Sequence, residues 1–121
     1  MTRRTEKVGD TLQAAIADLL ERRVKDAALD GVMLSITHVR VAPDLTTARV
    51  HVSLLGVEEE RVPTVLAALE RAEPFMHREL LHQLRMRRVP RLRFIRDRSI
   101  EEGDRMTTLM REIARAEGRE L

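Results

Sequence analysis

Residues 62–94 read VPTVLAALERAEPFMHRELLHQLRMRRVPRLRF, and within this stretch a helical periodicity gives way to a strand. Val62, Val65, Leu66, Leu69, Ala72, Met76, Leu80 and Leu84 recur every three or four residues, as on a helix with one buried face. Pro63 falls near the first turn, where proline is tolerated. Pro74 falls in mid-pattern, where it cannot donate to the Glu70 carbonyl and crowds the preceding turn. The pattern predicts two helices end to end, about 60–72 and 74–87, with a kink at Ala72, Glu73 and Pro74. Val89-Pro90 stops the second helix. Leu92 and Phe94 then alternate with Arg91, Arg93 and Ile95, which predicts a strand with Phe94 facing the core.

Upstream, Val8, Leu12, Ile16, Leu19 and Val24 give a first helix, with Thr5 placed to cap it. Asp30-Gly31 closes a short loop. Val32, Leu34 and Ile36 then alternate with polar or flexible neighbours, and the phase slips by one residue at Thr37-His38 before Val39 and Val41. A one-residue slip inside a strand predicts a β-bulge. Ala42-Pro43-Asp44-Leu45-Thr46 reads as a turn with Pro43 at its second position. Ala48, Val50, Val52 and Leu54 make a second strand, with Thr47, Arg49, His51 and Ser53 on its wet face. The two strands form a hairpin. Glu58, Glu59 and Glu60 follow, where negative charge suits a helix N-terminus.

Downstream, Met106, Leu109, Met110 and Ile113 form a short apolar stripe beyond Asp104, read as packing against the fold in preference to a groove for a partner. The chain is expected to be one domain over residues 1–121, with a partly flexible C-terminal helix and tail at 104–121. Helix, strand, strand, kinked helix pair, strand is the order of a type II KH-like α+β fold. KH domains grip RNA through a Gly-x-x-Gly loop between paired helices. Glycine occurs only at 9, 31, 56, 103 and 118, so that loop is absent and the kink takes its place.

Charge is the second organising feature. Arginines 85, 87, 88, 91, 93, 96 and 98 stand against the single acid Asp97, so 14 residues carry +6 in a chain of net charge +2. Such a block is either a surface for a polyanion, RNA above all, or a solubilising set at a helix end and strand edge. Arg85, Arg87, Arg88, Arg91 and Arg93 are the candidate phosphate contacts, with Arg71 and Arg78 flanking the kink as a further pair. There is no Trp or Tyr, and Phe75 and Phe94 are the only Phe, so bases cannot be read by stacking on an aromatic platform.

Several chemistries are excluded or weak. The chain has no cysteine, hence no disulfide, thiolate metal site or thiol nucleophile. His77 and His82 are five apart, about 140° around a helix, and do not converge on a metal. No hydrophobic run approaches membrane-spanning length, and the N-terminus lacks a signal-like apolar region. No cofactor, small-molecule substrate or catalytic residue is expected.

Several strings, in order, resemble the ribosome-binding factor A family. Val24-Lys25-Asp26 closes the first helix; Val41-Ala42-Pro43-Asp44-Leu45 makes the turn; Val52-Ser53-Leu54-Leu55-Gly56 ends the second strand. Arg78-Glu79-Leu80 follows the kink. Arg88-Val89-Pro90 and Leu92-Arg93-Phe94 lead to Asp97, Ser99-Ile100 and Gly103. The likeness spans roughly residues 4–110, and it is the order and spacing of the strings that make it specific. Pro74 departs from it, standing where the family usually has the glycine of Ala-x-Gly. The residues themselves lead to the expectation of a cytoplasmic, monomeric, non-catalytic protein, and the resemblance implies a factor that binds the immature small (30S) ribosomal subunit and its 16S ribosomal RNA. It also implies a part in late maturation, including processing of the RNA 5′ end, and in growth in the cold. Two other readings of the residues stand beside it: a general KH-type RNA binder, and a protein-interaction module that docks an acidic partner on its arginines.

Overall fold

The computed structural model describes residues 3–118, with Ile100, Glu101 and Asp104 described in backbone only. Helix α1 spans Arg3–Arg22, strand β1 Ser35–Val41, strand β2 Thr47–Ser53, helix α2 Val62–Gln83, strand β3 Arg91–Arg96 and helix α3 Ser99–Ala116. Short 3-10 turns at Ala27–Leu29 and Glu59–Arg61 lead into β1 and α2. The sheet order is β1-β2-β3, with β1 and β2 antiparallel and β2 and β3 parallel. This is the type II KH-like arrangement that the sequence predicts.

The core lies between helices α1 and α2 and one face of the sheet. Leu12, Ile16 and Leu19 of α1, Val39 and Val41 of β1, and Ala48, Val50 and Val52 of β2 are buried. Leu92 and Phe94 face the same core, so the expected phase of β3 holds. At Gly9 the backbones of α1 and β1 meet closely: a Cβ there would sit 2.7 Å from the Val39 carbonyl oxygen, so no side chain fits.

The hairpin follows the residue pattern closely. Ile36 pairs with Val52 and His38 with His51, leaving Thr37 as the bulge. The Leu45 N–H donates to the Ala42 carbonyl at 2.9 Å, which puts Pro43 second in the turn. Leu45 closes the loop in the left-handed region at φ 62°, a conformation that costs a non-glycine residue about 1 kcal/mol.

Four expectations need correction. Helix α1 begins at Arg3, so Thr5 is a buried residue of its first turns and not its cap. Ser53, expected on the wet face, is buried. Helix α2 is one continuous helix of 22 residues through Pro74, ending at Gln83, in place of two helices reaching 87. The buried stripe explains this: Val65, Leu69, Glu73, Met76 and Leu80 keep one phase across the proline. Burying Leu69, Met76 and Leu80, at roughly 2 kcal/mol each, outweighs the roughly 3 kcal/mol of an interior proline.

The fourth concerns α3. It starts at Ser99, well before Asp104, and its apolar stripe is not packed: Met106, Leu109, Met110 and Ile113 are each about half exposed (46–58%). The tail residues 119–121 lie outside the described residues.

Candidate nucleic-acid interface

The seven arginines of the 85–98 block fall into two groups. Arg85, Arg87 and Arg88 lie in the loop between α2 and β3, all exposed. Leu84 ends α2 in an extended conformation, and Val89 and Pro90 are buried, so the loop is anchored at both ends and offers its arginines outward. Arg93 projects from the exposed face of β3. Among the described residues these four make no ion pair. Arg88 is near enough to Asp44 to help hold that carboxyl below its usual range, after the larger effect of the Thr46 hydroxyl and N–H.

The other three arginines are held by carboxylates. Arg96 donates to both oxygens of Glu59, at 2.8 and 3.0 Å, and Arg98 adds a contact at 3.4 Å. The Arg96 hydrogen bonds are the main reason the Glu59 carboxyl stays below its ordinary range. Arg91, expected among the phosphate contacts, donates instead to Glu73 and lies 3.3 Å from His77 Nδ1.

Glu73 is the residue whose role the sequence reading missed. It is buried, 5% exposed, and its second oxygen accepts the Leu92 N–H at 2.9 Å. One turn earlier Glu70 accepts the Phe94 N–H at 3.2 Å. Both N–H groups lie on the outer edge of β3, so α2 covers with carboxylates an edge that would otherwise present unpaired donors. His77 completes this seam. Its Nε2–H donates to the Val89 carbonyl at 2.9 Å, which leaves Nδ1 to accept from Arg91. The segment 72–74 therefore ties helix to strand, and the signal for it was a glutamate at a stripe position.

The pair flanking Pro74 separates as well. Because α2 is continuous, Arg71 and Arg78 share one face, roughly 10 Å apart along the axis. Arg78 is exposed and makes no ion pair among the described residues. Arg71 donates to Asp26 at 2.9 Å, and that carboxyl is held low first by the Ala28 N–H and then by Arg71. Arg71 lines a cleft with Arg23, Lys25 and Phe75 at the end of α1, whereas Arg87 and Arg88 line one with Arg4, Val8, Leu45 and Met86 at its start. Those clefts are separated by nearly the length of a 20-residue helix, roughly 30 Å. The expected residues thus do not form one patch. Their free members are Arg85, Arg87 and Arg88 on the loop, Arg93 on the sheet and Arg78 on α2.

Sequence reasoning also passed over Arg40 and Arg49. Both are exposed, and the sheet register sets Arg40 opposite Arg49 and Arg49 beside Arg93. The hairpin turn at 42–46 held this signal, since it places two wet-face arginines opposite each other.

A KH-like sheet without the glycine loop, carrying unpaired arginines on a loop and a sheet face, defines a class of protein suited to nucleic-acid backbone. The sequence profile described as ribosome-binding factor A matches residues 4–110. Ribosome-binding factor A from Synechocystis sp. is 35% identical over 115 residues, covering 95% of this chain and 86% of that protein. The crystal structure of ribosome-binding factor A from Thermus thermophilus superposes with a TM-score of 0.66 at 32% identity, covering 78% of this chain and 98% of that one. A Thermus thermophilus ribosome binding factor A homology model fitted into a cryo-EM map of its 30S complex gives 0.59 at 31% identity, covering 74% and 91%. This chain belongs to the ribosome-binding factor A family.

Among the described residues no helix is long and apolar enough to cross a membrane, and no cluster of three or more His, Asp or Glu could hold a metal ion.

Proposed function

We propose that this chain is a cytoplasmic, monomeric assembly factor that binds the immature small ribosomal subunit through 16S ribosomal RNA and assists its late maturation. Its family membership and the 30S complex of its Thermus relative support the partner. The observation that carries the RNA contact is the loop of Arg85, Arg87 and Arg88, fixed at both ends and free of carboxylate partners among the described residues.

The mechanism is binding without chemistry. Guanidinium groups aimed by a short anchored loop contact phosphates, and preference for one RNA conformation shifts the folding equilibrium of the subunit by the difference in affinity. Correct folding near the RNA 5′ end then favours the processing of that end. Growth in the cold depends most on such help, because misfolded RNA escapes its traps slowly at low temperature.

Sedimentation tests this reading. The chain should travel with free small subunits and not with full ribosomes, and cells without it should accumulate small-subunit RNA with an unprocessed 5′ end. Equal association with both particles, or with neither, overturns the assembly role.

A further inference from the structure

We propose that the exposed face of the sheet, with Arg40, Arg49 and Arg93 in one row across its three strands, is a second RNA-binding surface that takes the sugar-phosphate backbone without reading bases. This deepens the RNA-binding function proposed above and rests on it.

The register carries the inference. Arg40 pairs with Arg49 and Arg49 with Arg93, so the three side chains leave the sheet side by side. With neighbouring strands about 4.8 Å apart, three positive charges occupy roughly 10 Å. All three are exposed, and none of their side chains makes a hydrogen bond or ion pair among the described residues. Like charges directly opposite each other weaken strand pairing, so the row is a cost to the isolated fold. An anionic chain laid across it would turn that repulsion into attraction.

The contrast inside β3 shows that this is not a general lack of acids. Arg91 and Arg96 of the same strand are held by Glu73 and Glu59, while Arg93 between them has no such partner among the described residues. The groove beside the hairpin turn extends the surface, lined by Arg40, Arg49, Thr47 and Pro43. The next row holds His38, His51 and Ile95. The two imidazoles stand 6.0 Å apart, and burial, together with His38, Arg40 and Arg49, keeps His51 less basic than usual against the pull of Asp97. The permanent positive charge of the face is that of the arginine row, since a guanidinium stays protonated.

Its chemistry fits RNA backbone better than protein. A protein interface needs a buried apolar or aromatic anchor at its centre, and this face offers only Ile95, at 36% exposure. It has no Phe, Tyr or Trp on which a base could stack, so contact is to phosphate and independent of sequence.

The test compares four full-length proteins: wild type, Arg40→Gln/Arg49→Gln/Arg93→Gln, Arg40→Lys/Arg49→Lys/Arg93→Lys, and Arg85→Gln/Arg87→Gln/Arg88→Gln. Binding to a uridine oligoribonucleotide is followed against salt, with polyglutamate as a second probe. The sheet variant should lose about 2 from the slope of log K against log salt, since each lost phosphate contact is worth about 0.7 on a single strand. Its melting temperature should equal or exceed that of wild type, and Arg→Lys at the same three positions should restore most of the slope. Wild-type binding by the sheet variant, with loss only in the loop variant, overturns this inference and leaves the proposed function standing. Loss of polyglutamate binding with RNA binding intact assigns the face to an acidic protein and also overturns it. No RNA binding by wild type sinks both.

Discussion

The seam between α2 and β3 and the loop that joins them are neighbours in sequence, yet they use the same side chain in opposite ways. In the seam, Arg91 is held by Glu73 and steadied by His77, and the carboxylates of Glu73 and Glu70 close the strand edge. In the loop, Arg85, Arg87 and Arg88 reach solvent with no acid within pairing distance among the described residues. Arginine density alone does not mark a nucleic-acid surface. What separates the two uses is whether the fold supplies a carboxylate, and that depends on which helix passes behind the strand.

On β3 itself inward and outward residues alternate, and the two faces should respond very differently to truncation. Phe94→Ala should cost about 3–5 kcal/mol in denaturant unfolding, because its ring fills the core. Arg93→Ala, one position away on the exposed face, should stay within about 0.5 kcal/mol. Similar losses for both would mean that the two faces of the strand are not distinct.

Glu73→Ala comes next. It leaves the Leu92 N–H without a partner in a buried site and should cost about 2 kcal/mol. Glu73→Gln should cost less, since an amide oxygen still accepts that N–H. RNA affinity per folded molecule should be unchanged in Glu73→Gln, and a drop in it would move Glu73 from the seam to the interface.

The loop gives the converse result. Arg85→Gln/Arg87→Gln/Arg88→Gln should leave thermal stability within about 0.5 kcal/mol while weakening RNA binding. A large fall in melting temperature would class these arginines with those of the seam.

The smallest effect is a pH dependence at the far end of β3. Asp97 has its pKa lowered to about 2, chiefly by the Thr37 hydroxyl at 2.5 Å and then by the Ser99 N–H at 2.8 Å. Its carboxyl is more acidic folded than unfolded. The stability it lends is therefore complete above about pH 4 and fades as pH falls towards 2. Thr37→Val should raise the Asp97 pKa towards its ordinary value in a carboxyl NMR titration and flatten this dependence. An unchanged titration would show that the hydroxyl has no part in it.

Much of the fold was legible because each clue was local. The phase slip at Thr37-His38, Pro43 in the turn and the Leu92/Phe94 alternation depend on residues a few positions apart, and the structure repeats them. Pro74 misled because its local cost was weighed without the burial on either side, which carries α2 through it. The α3 stripe was legible as an amphipathic helix, but periodicity does not say what covers it. The site was half legible. The loop arginines drew notice by their density. The pairing of Arg91, Arg96, Arg98 and Arg71 with Glu73, Glu59 and Asp26 joins residues at least 18 apart, and no spacing rule reports it. Arg40 and Arg49 were the reverse case, recoverable from the hairpin register but too far from the arginine block to draw notice.

One titration bears most directly on the division between held and free arginines. Affinity for purified small subunits is measured over a range of salt for wild type and for Arg85→Gln/Arg87→Gln/Arg88→Gln. With six free arginines on the loop and sheet, the wild-type slope of log K against log salt should be about −4, falling to about −2 in the variant. A slope near zero, or the same slope in both proteins, would contradict the assignment of the loop to RNA.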